Sequence, residues 1–185
     1  MEQTRGNWKI EQSQLQYENP WIRVTEHQVL NPSGNPSIYG EVHFKNIAIG
    51  ILPIDDNGNL YLVNQFRFVL NQESLEIPEG GGLLNIDPLV SAKRELKEET
   101  GLEAKEWTKL VELHLSNSVS DEKAIVYLAK DLTQGEMELE ETEDISVTKV
   151  SLIEAYRLVC EHKITDAISV AAIQKLYILH LENQF

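Results

Sequence analysis

Three consecutive glycines, Gly80, Gly81 and Gly82, stand between a short strand-like run and a helical pattern, and this junction restricts the fold more than any other feature of the chain. Glu73 to Pro78 reads as a strand. Pro88 to Thr100 reads as a helix, with proline at its start and Gly101 just past its end, the usual asymmetry of helix termini. Glycines between two such elements let the backbone approach a ligand closely, a use they share with ordinary tight turns.

The remaining pattern is mostly strand. Gln16 to Tyr39 alternates loosely through Trp21, Val24 and Val29, with Asn19-Pro20 and Asn31-Pro32-Ser33-Gly34 as punctuation, and predicts strands joined by a hairpin-like turn. Asn46 to Ile54 is a nearly continuous apolar run, Asp55-Asp56-Asn57-Gly58-Asn59 supplies turn chemistry, and Leu60 to Phe66 resumes as a strand, so these two are expected to pair as a central hairpin. Further strands are expected at Thr108 to Ser116, Lys123 to Ala129 and Ile145 to Val150. Ser151 with Glu154 makes a capping box for a helix to about His162. A last helix, from about Asp166 to His180, carries Ile168, Ala171, Ala172, Ile178 and Leu179 at helical spacing. The sum is an α+β domain, a layered α/β/α arrangement with a mixed sheet and three helices, residues 46–185, preceded by a β-rich segment, residues 1–45.

Charge and composition narrow the partners. Lys and Arg number 16 against 30 Asp and Glu, a net charge of −14 that repels the backbone of nucleic acid. The longest apolar stretch, Ile47 to Ile54, is too short to span a bilayer, and the polar start (Met1 to Asn7) lacks the apolar block of a secretory signal, so a soluble cytoplasmic protein with no membrane partner is expected. Cys160 is the one cysteine, which excludes an internal disulfide. Its apolar helical surroundings predict a buried thiol.

Chemistry concentrates in the helix after the glycines. On a helical wheel counted from Leu89, Leu89, Ala92 and Leu96 form a buried stripe, while Glu98, Glu95 and Glu99 fall near about 180°, 240° and 280° in one sector. Acids so arranged repel one another and oppose the helix dipole, at roughly 0.2–0.5 kcal/mol for each i,i+4 pair. Clustering of this kind makes sense around a cation, and carboxylate oxygens suit Mg²⁺ or Mn²⁺. Arg94 stands four residues before Glu98 and can hold that carboxylate in place. The other reading of the three acids is a solvated face on an acidic protein.

These residues resemble the signature of the Nudix hydrolases, in which a glycine is followed after five residues by a glutamate and after seven more by Arg-Glu-aliphatic-x-Glu-Glu-x-Gly-aliphatic. Gly80 takes the first position and Arg94, Glu95, Leu96, Glu98, Glu99, Gly101 and Leu102 the last ones, while the first glutamate falls on Ile86, beside Asp87. The resemblance implies a Nudix fold and a metal-dependent pyrophosphatase. Glu95 and Glu99 become direct metal ligands, Glu98 a ligand or the residue orienting the attacking water, and Glu79 a ligand through its carbonyl; Gly80 and Gly81 would lie against substrate.

Beyond the signature, Gln65-Phe66-Arg67 and Leu75-Glu76-Ile77-Pro78-Glu79-Gly80 are similar to motifs of the ADP-ribose and nucleoside-diphosphate-sugar pyrophosphatases, as is Ile164-Thr165-Asp166-Ala167. By that likeness Arg67 clamps a phosphate, Glu76 binds substrate or metal, and Glu141 or Glu143, in the acidic run Glu140 to Asp144, is the base. Trp21 is either core or a stacking group near a site across a homodimer interface. Ser116 to Glu122, standing where many ADP-ribose enzymes have a Pro-Gly turn, points to the wider group that includes GDP-mannose and ADP-sugar hydrolysis. The expected reaction is hydrolysis of a nucleoside diphosphate sugar to a nucleoside monophosphate and a sugar phosphate. A hydrolase of dinucleotides (NADH, diadenosine polyphosphates) and a catalytically weak nucleotide-sugar sensor, suggested by Ile86, are the alternatives.

Overall fold

The computed structural model describes residues 3–138 and 144–184. In chain order the elements are β1 (Gln3–Arg5), β2 (Trp8–Glu18), β3 (Ile22–Leu30), β4 (Pro36–Phe44), β5 (Asn46–Pro53), β6 (Asn59–Arg67), β7 (Gln72–Glu76), β8 (Glu79–Leu83), α1 (Pro88–Thr100), β9 (Leu102–His114), β10 (Lys123–Gln134), β11 (Ser146–Ser151), α2 (Leu152–Cys160) and α3 (Ala167–Leu181). Two compact units divide them: residues 1–46 with 114–123, and residues 47–113 with 124–185.

The N-terminal unit is an antiparallel meander of β1 to β4 in sequence order. Its β3–β4 turn forms because the Asn31 side chain accepts the N–H groups of Ser33 and Asn35, both at 3.0 Å, and Gly34 supplies a positive φ of 81°. Residues 114–123 join this unit. Val42 N–H donates to Val119 O at 2.8 Å, and the Asp121 carboxylate accepts from Phe44 N–H at 2.9 Å.

In the second unit the sheet β8-β5-β10-β9 holds the core, and β11-β6-β7 forms a separate sheet. The expected hairpin of β5 with β6 is not what forms. Instead β5 runs parallel to β10, from Ala48 opposite Ala124 to Pro53 opposite Ala129, and β6 pairs with β11 and β7. Just past β5, an isolated bridge pairs Ile54 with Leu60 of β6. The reason lies in β5 itself: most of its side chains are buried, as in strands covered on both faces, and both its edges are taken by β8 and β10. The intervening turn is closed locally, with Asp55 accepting the N–H groups of Asn57 and Asn59 at 2.9 Å.

Helix α1 has the ends its sequence predicts. The Asp87 side chain accepts Leu89 N–H, and Gly101 adopts the left-handed conformation (φ 69°) with its N–H on Lys97 O. Ala92 and Leu96 pack with Ile47, Ile49, Ile51 and Ile125, and Leu89 flanks them, as the wheel predicts. Ser151 caps α2 through Glu154 N–H, and Asp166 caps α3 through Ser169 N–H. One sequence expectation fails on these helices. Cys160 is exposed, because Leu152, Ala155 and Val159 take the inward face of α2. On α3 the inward face is Ile168, Ser169, Ala172, Ile173 and Leu176, and Ile178 is 49% exposed.

Candidate active site

One segment of the second unit, Glu76 to Gly80, gathers the polar groups singled out by the sequence. Its far end meets α1. Glu95 and Glu99 are 5% and 2% exposed, so the acidic sector of the wheel is turned inward rather than solvated. Glu99 accepts the backbone N–H of Glu79 at 3.0 Å. Glu95 lies so close above Gly80 that a side chain there would overlap its carboxyl group. Arg94 ties the remainder together: its guanidinium bonds Glu98 at 2.5 Å, the Gly81 carbonyl at 3.1 Å, and Glu95. Although burial pulls the Arg94 pKa down, the two carboxylates outweigh it and raise it, so the guanidinium stays charged.

The near end of the segment opens on a cleft of about 490 Å³ lined by Phe66, Arg67, Ser74, Glu76, Thr165 and Asp166, among others. Arg67 donates through Nε to both oxygens of Glu76, at 3.0 and 3.1 Å, and through Nη2 to one of them. Gln65 reaches the same carboxylate at 3.4 Å. The hairpin register places Gln65 opposite Ser74 and Val63 opposite Glu76, so side-chain alternation puts Gln65, Arg67, Ser74 and Glu76 on one face. Glu76 is 2% exposed, and its Arg67 partner raises no orphan charge.

Between these ends sits the Glu79 side chain. Its Oε1 accepts the Ser169 hydroxyl at 3.0 Å, and Ser169 Oγ in turn accepts Ile77 N–H at 2.9 Å. Burial, then the nearby Asp166 and Glu76 charges, push the Glu79 carboxyl well above the ordinary carboxylate range, against the opposing hydrogen bond from Ser169. The sequence did not single out Ser169. A serine among Ile168, Ala172, Ile173 and Leu176 was the available signal, since a polar group on a buried helix face needs partners.

Trp21 belongs to the N-terminal unit, in the turn held by Asn19 Oδ1, and is 64% exposed rather than core. Glu141 and Glu143 lie outside the described residues; before them, Glu138 N–H donates to Glu98 O at 3.1 Å and its carboxylate pairs with Lys97 at 2.6 Å. Ile86 is 40% exposed, and Asp87 is committed to capping α1.

As a donor set, the carboxylates of Glu95, Glu98 and Glu99 fit a hard divalent cation: all offer oxygen atoms from one helix, two are buried, and Arg94 holds two of them in place. Among the described residues no group of three or more His, Cys, Asp or Glu side chains is gathered as a ready-made metal cage.

Known proteins agree with this architecture. Residues 44–170 match the NUDIX domain and residues 8–42 the nucleoside diphosphate sugar hydrolase N-terminal domain. The chain is 37% identical over 131 residues to the ADP-ribose pyrophosphatase of Bacillus subtilis, covering 70% of this chain and 71% of that protein. It is also 37% identical over 131 residues to the ADP-ribose pyrophosphatase of Mycobacterium tuberculosis, of which it spans 62%. A methanol dehydrogenase activator of Bacillus methanolicus is 34% identical over a similar span. The crystal structure of an ADP compounds hydrolase shares the fold, with a TM-score of 0.84 over 95% of this chain and 96% of that one, at 22% identity. With the NUDIX match covering more than half its length, the chain belongs to the Nudix hydrolase family.

Proposed function

We propose that this protein hydrolyses the pyrophosphate bond of a nucleoside diphosphate sugar, of the ADP-ribose, ADP-sugar or GDP-mannose type. Water adds to one phosphorus, the bridging P–O bond breaks, and two phosphate monoesters leave: a nucleoside monophosphate and a sugar phosphate. The observation that carries this reading is the joining of a buried carboxylate pair and an arginine-lined cleft through five residues, with Glu95 and Glu99 of α1 at one end of the Glu76–Gly80 segment and the Arg67 cleft at the other. The names of the 37% identical relatives support the substrate class.

In this reading Glu95, Glu99 and Glu98, with the Glu79 carbonyl, hold Mg²⁺, for which Mn²⁺ can substitute. When bound there, such an ion would supply charge neutralisation for the diphosphate and a lowered pKa for a bound water. Arg94 holds Glu98 and Glu95 in place. Arg67 binds a phosphate oxygen, and Glu76 orients Arg67 or touches substrate. Gly80 and Gly81 let the backbone approach, and Glu141 or Glu143 takes the proton of the attacking water. We further propose a cytoplasmic homodimer, with residues 1–45 as its dimer-forming segment and 46–185 as the hydrolase domain. Exposed Leu15, Tyr17 and Ile38 on the N-terminal strands, with Trp21 in the turn between two of them, support self-association, and Trp21 would then stack near the partner's site. Among the described residues no helix is long and apolar enough to cross a membrane.

The test is phosphate release from ADP-ribose, ADP-glucose, GDP-mannose, UDP-glucose, NADH and diadenosine polyphosphates, coupled to a phosphatase, with Mg²⁺ and with EDTA. Turnover concentrated on the diphosphate sugars and abolished by EDTA is expected. Turnover confined to the dinucleotides, or insensitive to EDTA, overturns the proposal.

A further inference from the structure

The segment that joins the two halves of the site is fastened from behind by a residue of α3. Ser169 is fully buried, and its single hydroxyl makes two bonds to the segment: Oγ accepts Ile77 N–H at 2.9 Å and donates to Glu79 Oε1 at 3.0 Å. Its own backbone is fixed in turn, because Ser169 N–H donates to the capping carboxylate of Asp166 at 2.7 Å. On the other side of the same peptide run, Glu79 N–H donates to Glu99 Oε2 at 3.0 Å. Pro78 has no N–H to donate and gives its carbonyl to Ile51 N–H of β5 at 2.8 Å, the sheet's own tether on the segment. The Pro78–Glu79 peptide, whose N–H the Glu99 carboxylate accepts, is therefore held on its carbonyl side by Ile51 and braced on both flanks, at Ile77 N–H and at the Glu79 side chain, by a hydroxyl on another helix.

We propose that Ser169 is a positioning residue for the metal-binding carboxylates, acting through the Ile77–Glu79 segment on Glu99. The inference rests on the metal site proposed above and adds to it a residue outside the Nudix signature. Removing the hydroxyl leaves Ile77 N–H and the Glu79 carboxyl without this partner, which loosens both flanks of the peptide that Glu99 accepts from.

The experiment measures Mn²⁺ binding directly, by electron paramagnetic resonance of free Mn²⁺ in titrations of the full chain, alongside melting temperature. For Ser169→Ala the Mn²⁺ dissociation constant rises about tenfold, the lower end of what loss of an outer partner of a metal ligand produces, since Ser169 acts through one further group. The Mn²⁺ concentration for half-maximal turnover rises in step, and KM for the nucleotide sugar changes less. Ile173→Val, on the same buried face of α3, serves as the control: it lowers the melting temperature and leaves Mn²⁺ binding unchanged. A folded Ser169→Ala protein that binds Mn²⁺ within about twofold of the parent overturns the inference, as does equal weakening in Ile173→Val. Should Ser169→Ala fail to fold, Ser169→Cys, similar in size and a poorer hydrogen-bond partner, carries the same expectation and the same refutation. Parent protein that binds Mn²⁺ yet hydrolyses no diphosphate sugar overturns the proposed function and leaves the role of Ser169 standing. Parent protein that binds no Mn²⁺ overturns both.

Discussion

Gly80→Ala separates the two jobs a glycine can have at this junction. Gly80 does not occupy the positive-φ region, so alanine fits its backbone without strain. What the new methyl meets is the Glu95 carboxyl group, its carbon and both oxygens, far inside the 3.4–4 Å of ordinary contact. The backbone of β8 is fixed, and the carboxylate is the movable end of a side chain, so Glu95 gives way by about 1 Å or more. Misplacement on that scale costs about 100-fold in rate when the displaced group holds the reacting centre, or about 2.7 kcal/mol of transition-state stabilisation. Stability moves little. The lost glycine entropy of the unfolded chain contributes about 0.4–1 kcal/mol in favour of the variant, offset by the rearranged Glu95–Arg94 pair, so the melting temperature shifts by less than about 4 °C. Gly82→Ala is the counterpart: its methyl lands 3.0 Å from Ile47, 3.1 Å from Ile49 and 3.1 Å from Ser91 Oγ, so it strains packing and leaves the carboxylates alone. Steady-state turnover of ADP-ribose with Mg²⁺ and thermal melts of both variants decide the matter. Gly80→Ala with turnover within about threefold of the parent, or with a collapse in melting temperature, refutes the assignment of Gly80 as the seat of a working Glu95.

Acid stability should report on Asp55. Burial pushes its pKa up, but the Lys149 ion pair and hydrogen bonds from Asn59 and Asn57 outweigh that and hold it at about 2, against an ordinary 3.8. At full weight this is about 2.4 kcal/mol, which screening at a surface turn reduces to about 1 kcal/mol. Because the folded value is depressed, the contribution is complete above pH 3.8 and fades as pH falls toward about 2; Asp55→Asn should lose about 1 kcal/mol at pH 7 and converge on the parent near pH 2 in urea melts. Ile86→Glu restores the missing signature carboxylate at an exposed loop position and is expected to tighten Mn²⁺ binding and raise turnover several-fold, with no turnover gain counting against the Nudix alignment of this loop. Arg67→Lys keeps the charge but loses the forked contact to Glu76, so KM for the diphosphate sugar rises about tenfold, while an unchanged KM would remove Arg67 from the phosphate site.

What could be read from the sequence was local. The ends of α1 follow from Asp87, Pro88 and Gly101 within one turn each, and the gathering of Glu95, Glu98 and Glu99 in one sector follows from their spacing on the same helix, whereas the burial of Glu95 and Glu99 comes from how α1 docks. Strand partners could not be read in that way. An apolar run such as Asn46–Pro53 says that a strand is buried, yet nothing in it names β10, more than seventy residues away, over the adjacent β6.

The same division runs through the site. Arg94 with Glu98 is a pair at helical spacing and is visible in the sequence; Arg67 with Glu76 becomes visible once β6 and β7 are paired, because alternation then puts both on one face. Ser169 is of a third kind, ninety residues from Glu79, with only its polarity on an apolar face to mark it. Within Glu76 to Gly80 the positions are held by several elements: Glu76 by β6, Pro78 by β5, Ile77 and the Glu79 side chain by α3, Glu79 N–H and Gly80 by α1. A signature motif can record the α1 share of that arrangement, since those residues sit at constant spacing. The shares of β6 and α3 depend on how three elements dock, so an intact signature guarantees the ligands without guaranteeing their orientation, and substitutions far from the signature in sequence can disable the site while leaving every signature residue in place.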